Sequence, residues 1–295
     1  MNLQKILQLV PITKTSFVSK LPSAAPVAGR VTFGGTLLAQ SLWAALKTHS
    51  GMVPVSLQTY FISGGDPNLC TEYSVTTLRK GGSHIHAQIS ATQKSKLVAT
   101  SVVLLAKEAS YDKTHSLAKT ILPDKSQFQK AHQLVPLHPD ISGIVASKLV
   151  TNFKSGPLDY QFPPSMFTGV HPKGISPKEL QYYVKVRDSS EEDETAFKYV
   201  ALTYFSDSYC LLTLPWFKNR LLYSHKFSTS LDHTIHYYAV PKINEDILLK
   251  IRLIESDAQN RHMLRADYFD SNGEQIASIS QQGLVVFPEI KDSKL

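Results

Sequence analysis

Between Gly34 and Ser50 the chain carries Leu37, Leu38, Leu42, Ala45 and Leu46 along one helical stripe, in a segment dominated by Ala and Leu. That spacing predicts a single helix. The segment is apolar nearly all round, so the helix is expected to be buried on every side. Four runs of strand character follow, at Val55–Ser63, Thr71–Arg79, His84–Thr92 and Lys96–Ala106. Turn residues separate them: Gly64-Gly65-Asp66-Pro67, Lys80-Gly81-Gly82-Ser83 and Gln93-Lys94-Ser95. The pattern predicts one buried helix with an antiparallel meander wrapped around it.

The pattern then recurs. Leu180–Arg187 reads as a strand and Phe197–Leu214 as a second buried helix, ending before Pro215. Strands follow at Thr229–Tyr238, Ile247–Ser256, His262–Phe269 and Gln275–Phe287, with a strong turn signal at Asp270-Ser271-Asn272-Gly273. Val55-Ser56-Leu57 matches Thr229-Ser230-Leu231 at an offset of 174, and Leu97-Val98-Ala99-Thr100 matches Gln275-Ile276-Ala277-Ser278 at 178. An internal duplication accounts for both. The expected fold is α+β, a double hotdog in which two antiparallel sheets each wrap a long central helix. The expected organisation is an N-terminal hotdog over 1–107, a connector over 108–176 and a C-terminal hotdog over 177–295. The connector holds Pro123, Pro136, Pro139, Pro157, Pro163 and Pro164 with weak periodicity. It is too long for a bare loop, so one or two short helices are expected, with Leu158–Phe167 packed on a domain surface. Leu3, Ile6, Leu7 and Val10 predict a short amphipathic helix ending at Pro11.

Composition narrows the function classes. Hydrophobic residues make up 42% of the 295 positions and charged residues 19%, enough to build a sizeable core. The longest near-continuous apolar stretch, Leu97–Ala106, is far short of the roughly 20 residues of a membrane span, so no stable membrane insertion is expected. Two cysteines, Cys70 and Cys210, exclude a disulfide framework and suit a reducing compartment. The net charge of +7 suits an anionic partner such as a phosphate-bearing small molecule. No Lys/Arg run with interleaved aromatics appears, which argues against nucleic acid. The start of the chain lacks a signal-peptide h-region and has no Arg before Arg30. The chain finishes Ser293-Lys294-Leu295, the tripeptide that the peroxisomal import receptor reads, so that receptor is an expected partner and the peroxisomal matrix the expected location.

The catalytic motifs that are missing are informative. There is no GxSxG elbow, no GxGxxG and no Walker A loop. His84 with His86, and His233 with His236, lack a third ligand and a carboxylate, so no metal or redox cofactor is expected. The polar residues that stand out lie in the second half. Asp207 sits within Thr203-Tyr204-Phe205-Ser206-Asp207-Ser208, where a buried carboxylate needs hydrogen bonds. Ser230 opens a strand, and Gln281 with Gln282 interrupts an apolar one. In a hotdog the helix and the two central strands converge on one crevice, where Asp207, Ser230 and Gln281 could meet. His233 has no spacing to serve Ser230 as a general base, because alternation turns it to the other face.

Phe33-Gly34-Gly35-Thr36-Leu37-Leu38-Ala39-Gln40 followed by Tyr60-Phe61-Ile62-Ser63-Gly64-Gly65-Asp66-Pro67 resembles the acyl-CoA thioesterase II family. Leu78-Arg79-Lys80-Gly81, Tyr160-Gln161-Phe162-Pro163, Tyr204-Phe205-Ser206-Asp207, Ser230-Leu231-Asp232-His233-Thr234 and Ser280-Gln281-Gln282-Gly283 continue the match in order along nearly the whole chain. The resemblance implies hydrolysis of fatty acyl-CoA to free acid and CoA. It implies that the family's catalytic Asp, hydroxyl and Gln fall on Asp207, Ser230 and Gln281, holding and activating a water. Gln58 stands where the family commonly has His, and Thr36 where it has Gln. The first helix contains no Asp or Glu, and Val103 takes the place of Gln281, so the first half is expected to lack a working site. A hotdog enoyl-CoA hydratase and a non-catalytic acyl-CoA-binding protein are the alternatives; the first typically pairs Asp with a nearby His, and no Asp-x4-His occurs on the second helix. Pairing of open sheet edges predicts self-association, with a homodimer expected.

Overall fold

A computed structural model describes residues 2–23, 31–108, 117–169 and 178–289; the tripeptide Ser293–Leu295 lies outside them. The first half runs α1 (Leu3–Leu7), β1 (Leu9–Pro11), β2 (Ser16–Ser19), α2 (Gly34–Thr48), β3 (Met52–Phe61), β4 (Glu72–Lys80), β5 (His84–Gln93) and β6 (Lys96–Lys107). Then come β7 (Gln129–Lys130), α3 (Ala131–Leu134), α4 (Gly143–Ser155), β8 (Leu158–Phe162) and α5 (Ser165–Thr168). The second half adds β9 (Leu180–Val186), α6 (Thr195–Ser206), α7 (Leu214–Phe217), β10 (Phe227–Tyr237), β11 (Ile247–Ser256), β12 (Arg261–Phe269) and β13 (Gln275–Val286).

All strand pairs are antiparallel, and β3 pairs with β10, so the sheets of the two halves join into one of 13 strands. The strand order is β1-β2-β4-β5-β6-β3-β10-β13-β12-β11-β9-β8-β7. Read outward from the β3–β10 seam, the order β3-β6-β5-β4-β2-β1 mirrors β10-β13-β12-β11-β9-β8. This is the double hotdog. The mirror assigns β8 to the second half as the counterpart of β1. Leu158–Phe162 is therefore a strand of the sheet, with Leu158, Tyr160 and Phe162 buried, and not a surface-packed end of the connector.

The register corrects the repeat offset. β3 has a bulge at Val55 and β10 has one at Leu231. Aligning the bulges sets Leu57 opposite its counterpart His233, an offset of 176, while Val103 and Gln281 keep 178. The match of Ser56 with Ser230 was two residues out of phase: the counterpart of Ser230 is Pro54.

Helices α2 and α6 pack on each other, and α2 lies against β3, β4, β5 and β6. Twelve of the 15 residues of α2 are buried, as its Ala- and Leu-rich sequence requires. Phe33, at the start of α2, stacks edge-on to Tyr204 near the end of α6 at 5.2 Å, and Trp43 meets Phe197 at 5.8 Å at the opposite ends. The two helices are thus antiparallel. Two helices are shorter than the sequence pattern predicts. α1 stops at Leu7, and Val10 stands exposed in β1. α6 stops at Ser206 with Asp207 as its C-cap, and Tyr209 turns into the left-handed region at φ 61°. A left-handed residue ends a helix whatever the apolar periodicity beyond it. The Tyr209 ring repays the strain by packing against both Tyr160 and Phe162, with centroids 5.1 and 5.0 Å away.

The sheet ends on strands of three and two residues, and β1 finishes with Pro11. Short edges and proline block edge-to-edge pairing, so the expected self-association has no long open edge to use. Among the described residues no helix is long and apolar enough to cross a membrane.

The crossing of α2 and α6 sets a sharp test. A Cβ on Gly35 would lie 2.3 Å from the Tyr204 carbonyl oxygen and 2.5 Å from the Phe33 ring. Backbone cannot move aside as a flexible side chain can, so Gly35→Ala is expected to cost about 1–3 kcal/mol. A thermal melt reads this as a Tm lowered by several degrees.

Candidate active site

Three side chains from three elements converge where α6 ends. Asp207 is placed by the helix terminus, and because α6 stops there its carboxylate leaves the helix axis toward the sheet. Ser230 is on β10, immediately before the bulge at Leu231. Gln281 is on β13, in an alternating stretch whose inward residues are buried; its own exposure is 0%. Gln282, by contrast, faces outward, and its backbone N–H donates to Asp232 Oδ1 at 3.0 Å. The structure thus brings Asp207, Ser230 and Gln281 together.

The donors and acceptors close without conflict. Gln281 Nε2 donates to Asp207 Oδ1 at 2.6 Å and to Ser230 Oγ at 2.7 Å, using both amide hydrogens. Ser230 Oγ donates its own hydrogen to Asp207 Oδ1 at 3.4 Å. A carboxylate only accepts, so Asp207 is the common acceptor of this triangle. The other carboxylate oxygen lies over the first residue of α2: a Cβ on Gly34 would come within 2.7 Å of Asp207 Oδ2. The first turn of α2 has no acidic residue and no side-chain cap. A carboxylate is favourable at the positive end of a helix, by about 0.3–1 kcal/mol.

Neighbouring groups respond to burial first and to Asp207 second. Both push the Tyr204 phenol up, and both push the Cys210 thiol well up. Cys210 is therefore held as a thiol and is not a nucleophile. Burial lowers the pKa of His233, with Asp207 and Gln281 opposing it.

His233 is the residue that the sequence pattern missed. Simple alternation turns it away from Ser230. The bulge at Leu231 uses up one residue, so Ser230 pairs with Gly283 and His233 with Gln281, and both point inward. His233 is 0% exposed, and its Nε2 lies 2.9 Å from Ser206 Oγ. The two histidine pairs noted in the sequence are placed differently. His84 and His86 are both exposed on the outer face, whereas His233 and His236 point to opposite faces. Among the described residues no group of three His, Cys, Asp or Glu side chains is arranged to hold a metal ion.

With this geometry in place, comparison with known proteins identifies the lineage. The acyl-CoA thioesterase family matches residues 154–284, and an acyl-CoA thioesterase N-terminal domain matches 21–106. The chain is similar to the peroxisomal acyl-coenzyme A thioester hydrolase 1 of Saccharomyces cerevisiae, at 38% identity over 99% of this chain and 96% of that protein. The chain belongs to the acyl-CoA thioesterase II family. By that membership it is a thioester hydrolase. Solved structures agree on the fold of this acyl-CoA thioesterase. An acyl-CoA thioesterase II of Mycobacterium marinum superposes with a TM-score of 0.72 at 21% identity, covering 98% of each chain. A protein of unknown function with a hot dog fold from Alicyclobacillus acidocaldarius gives 0.70 at 12% identity, covering 97% of this chain and 98% of that one.

Burial lowers the pKa of His233, His225 and His262 below the usual value in the folded enzyme. In the unfolded chain they take up protons near pH 6.5. Below that pH the unfolded state binds more protons, so folding stability falls as pH is lowered through about 6.5 and continues to fall until the folded pKa values are passed. Urea unfolding at pH 7.5 and pH 5.5 is expected to show a lower midpoint at the acidic pH.

Proposed function

We propose that this thioesterase hydrolyses fatty acyl-CoA to free acid and CoA by direct attack of a water held and activated by Asp207, Ser230 and Gln281. The observation that carries this reading is the Gln281 amide bridging Asp207 and Ser230 with hydrogen bonds of 2.6 and 2.7 Å. Such a bridge fixes a carboxylate and a hydroxyl side by side, as a general base and its water require. Asp207 takes a proton from the water as the oxygen bonds to the thioester carbonyl carbon. Collapse of the tetrahedral intermediate breaks the carbon–sulfur bond, and the proton passes to the departing CoA thiolate. The amide end of α2 at Gly34 supports a site for the developing oxyanion, since helix N-termini present unpaired N–H groups. No step calls for a metal or redox cofactor. The overall positive charge suits the phosphates of CoA, without assigning them to particular residues.

The reading places the enzyme in the peroxisomal matrix. The name of the yeast relative supports this, as does the Ser293-Lys294-Leu295 tripeptide expected to bind the import receptor. A homo-oligomer is part of the same reading. With both sheet edges short, the exposed Tyr60 and Val102 on the outer face of the central strands offer it apolar surface.

Release of thiol from palmitoyl-CoA, followed with a thiol reagent, tests the chemistry. Asp207→Ala and Gln281→Ala are expected to lower kcat by roughly 10²–10⁴ in folded protein. Ser230→Ala is expected to lose less, because a water can replace one hydroxyl. Near-normal turnover by Asp207→Ala would overturn the assignment. Quenched reactions weighed as intact protein are expected to carry no acyl adduct; an adduct that disappears in Ser230→Ala would mean a serine ester instead of a water.

Location has its own test. Removal of Ser293–Leu295 is expected to leave the enzyme in the cytosol with unchanged activity in vitro. Continued import in cells that lack a full-length copy would show that another address is used.

A further inference from the structure

Among the described residues, two buried polar atoms next to the triangle have no partner in good hydrogen-bond geometry: Gln281 Oε1 and His233 Nδ1. They belong to residues directly paired across β10 and β13, both fully buried and both facing inward. An unpaired buried acceptor costs about 1–3 kcal/mol. A neutral imidazole nitrogen can be either donor or acceptor, so these two atoms can satisfy each other.

The hydrogen-bond directions leave one consistent arrangement. Asp207, as a carboxylate, can only accept, so the Gln281 NH2 must face it and Ser230. Gln281 Oε1 must then face His233. For that contact to be attractive, the hydrogen of the neutral imidazole sits on Nδ1. Nε2 is then an acceptor and takes the hydroxyl hydrogen of Ser206 at 2.9 Å. Ser206 can instead donate to the Thr203 carbonyl at 2.8 Å. That alternative puts the imidazole hydrogen on Nε2 and sets two bare acceptors against each other. It also leaves only Asp207 and Ser230 to hold the Gln281 amide against a flip that turns its oxygen toward Asp207.

We propose that His233 is a positioning residue: its Nδ1–H donates to Gln281 Oε1 and thereby fixes the amide face that Gln281 presents to Asp207 and Ser230. This rests on the reading above, in which those three residues hold the attacking water. A chain of donors then runs one way, from the Ser206 hydroxyl through His233 and Gln281 to Asp207. Because Ser206 and Asp207 are consecutive, the chain closes on the end of α6 and ties β10 and β13 to it.

The first half of the molecule supports treating His233 and Gln281 as a unit. Their counterparts are Leu57 and Val103, which also pair directly across β3 and β6 and are also fully buried. The positions are occupied by two polar residues in one half and two apolar residues in the other. A single polar member would leave an unsatisfied group in a dry core, whereas an apolar pair is neutral.

Nitrogen NMR of the uniformly labelled wild-type enzyme reads the tautomer directly, with the His233 ring signals assigned through bonds from its backbone. The Nδ1–H form is expected; the Nε2–H form overturns the proposal. Kinetics on palmitoyl-CoA give a second readout. Asn places its amide at the position of Nδ1, next to Gln281, whereas Gln places it at the position of Nε2, next to Ser206. His233→Asn is therefore expected to stay near the wild-type kcat. His233→Gln and His233→Phe are expected to lose about 10–100-fold in kcat with KM unchanged. Equal kcat for folded Asn and Gln variants would overturn the positioning role, and should the variants fail to fold the wild-type tautomer still decides. Gln281→Ala separates the two levels. If it retains turnover, the water-holding reading fails and this proposal with it. If it is inactive while His233→Phe turns over normally, only the role of His233 fails.

Discussion

The closest approach of the two central helices is a backbone contact. Gly35 of α2 lies so near the Tyr204 carbonyl of α6 that no Cβ fits between them. The antiparallel crossing therefore brings the N-terminus of α2 against the C-terminus of α6, and the site lies where they meet. Electrostatics favours that meeting, because the positive end of one helix faces the negative end of the other. It also explains how Asp207 is tolerated. An acidic residue is unfavourable at the C-terminus of its own helix. Here the carboxylate is turned away to the start of α2 and to two side-chain donors, Gln281 and Ser230. A bulkier residue at position 34 or 35 would push these groups apart and leave a carboxylate short of partners.

Much of this was legible in the sequence, because strand alternation and helical stripes are properties of single segments. β11 was read with its observed bounds, and β5, β10, β12 and β13 within one or two residues at each end. The grouping of Asp207, Ser230 and Gln281 was legible only by adding the family resemblance to the convergence of a helix and two strands. What could not be read depended on contacts between segments. The second helix keeps an apolar periodicity past Ser206, and its stop there goes with a left-handed turn at Tyr209 whose ring packs on Tyr160 and Phe162, distant in sequence. Leu158–Phe162 alternates cleanly, but in a proline-rich stretch it needs β9 beside it to become a strand.

The bulge at Leu231 is the most consequential of these. No glycine marks it, and its twin at Val55 is equally silent. One uncounted residue reverses every later facing on a strand. It turns His233 from a residue on the far face into a buried neighbour of Gln281, and setting it against its twin at Val55 fixes the repeat offset on this strand at 176.

The two halves have the same architecture and different interiors. On β3 and β6, Leu57 and Val103 fill the paired inward positions with hydrocarbon, and α2 carries no acid. On β10 and β13 the same positions hold His233 and Gln281, beside Asp207. Removing the polar set from one half costs nothing in packing, since Leu and Val supply apolar volume without a hydrogen bond to satisfy. Removing part of it would strand a donor or an acceptor in the core. The polar group is therefore stable as a whole or absent as a whole. Its position adds a further constraint: all of its side chains come from the second half, yet the helix end lying over Asp207 comes from the first. The first half, with no acid on α2, still shapes the site by presenting Gly34, so the seam between the halves, more than either interior, is where the chemistry of the fold is set.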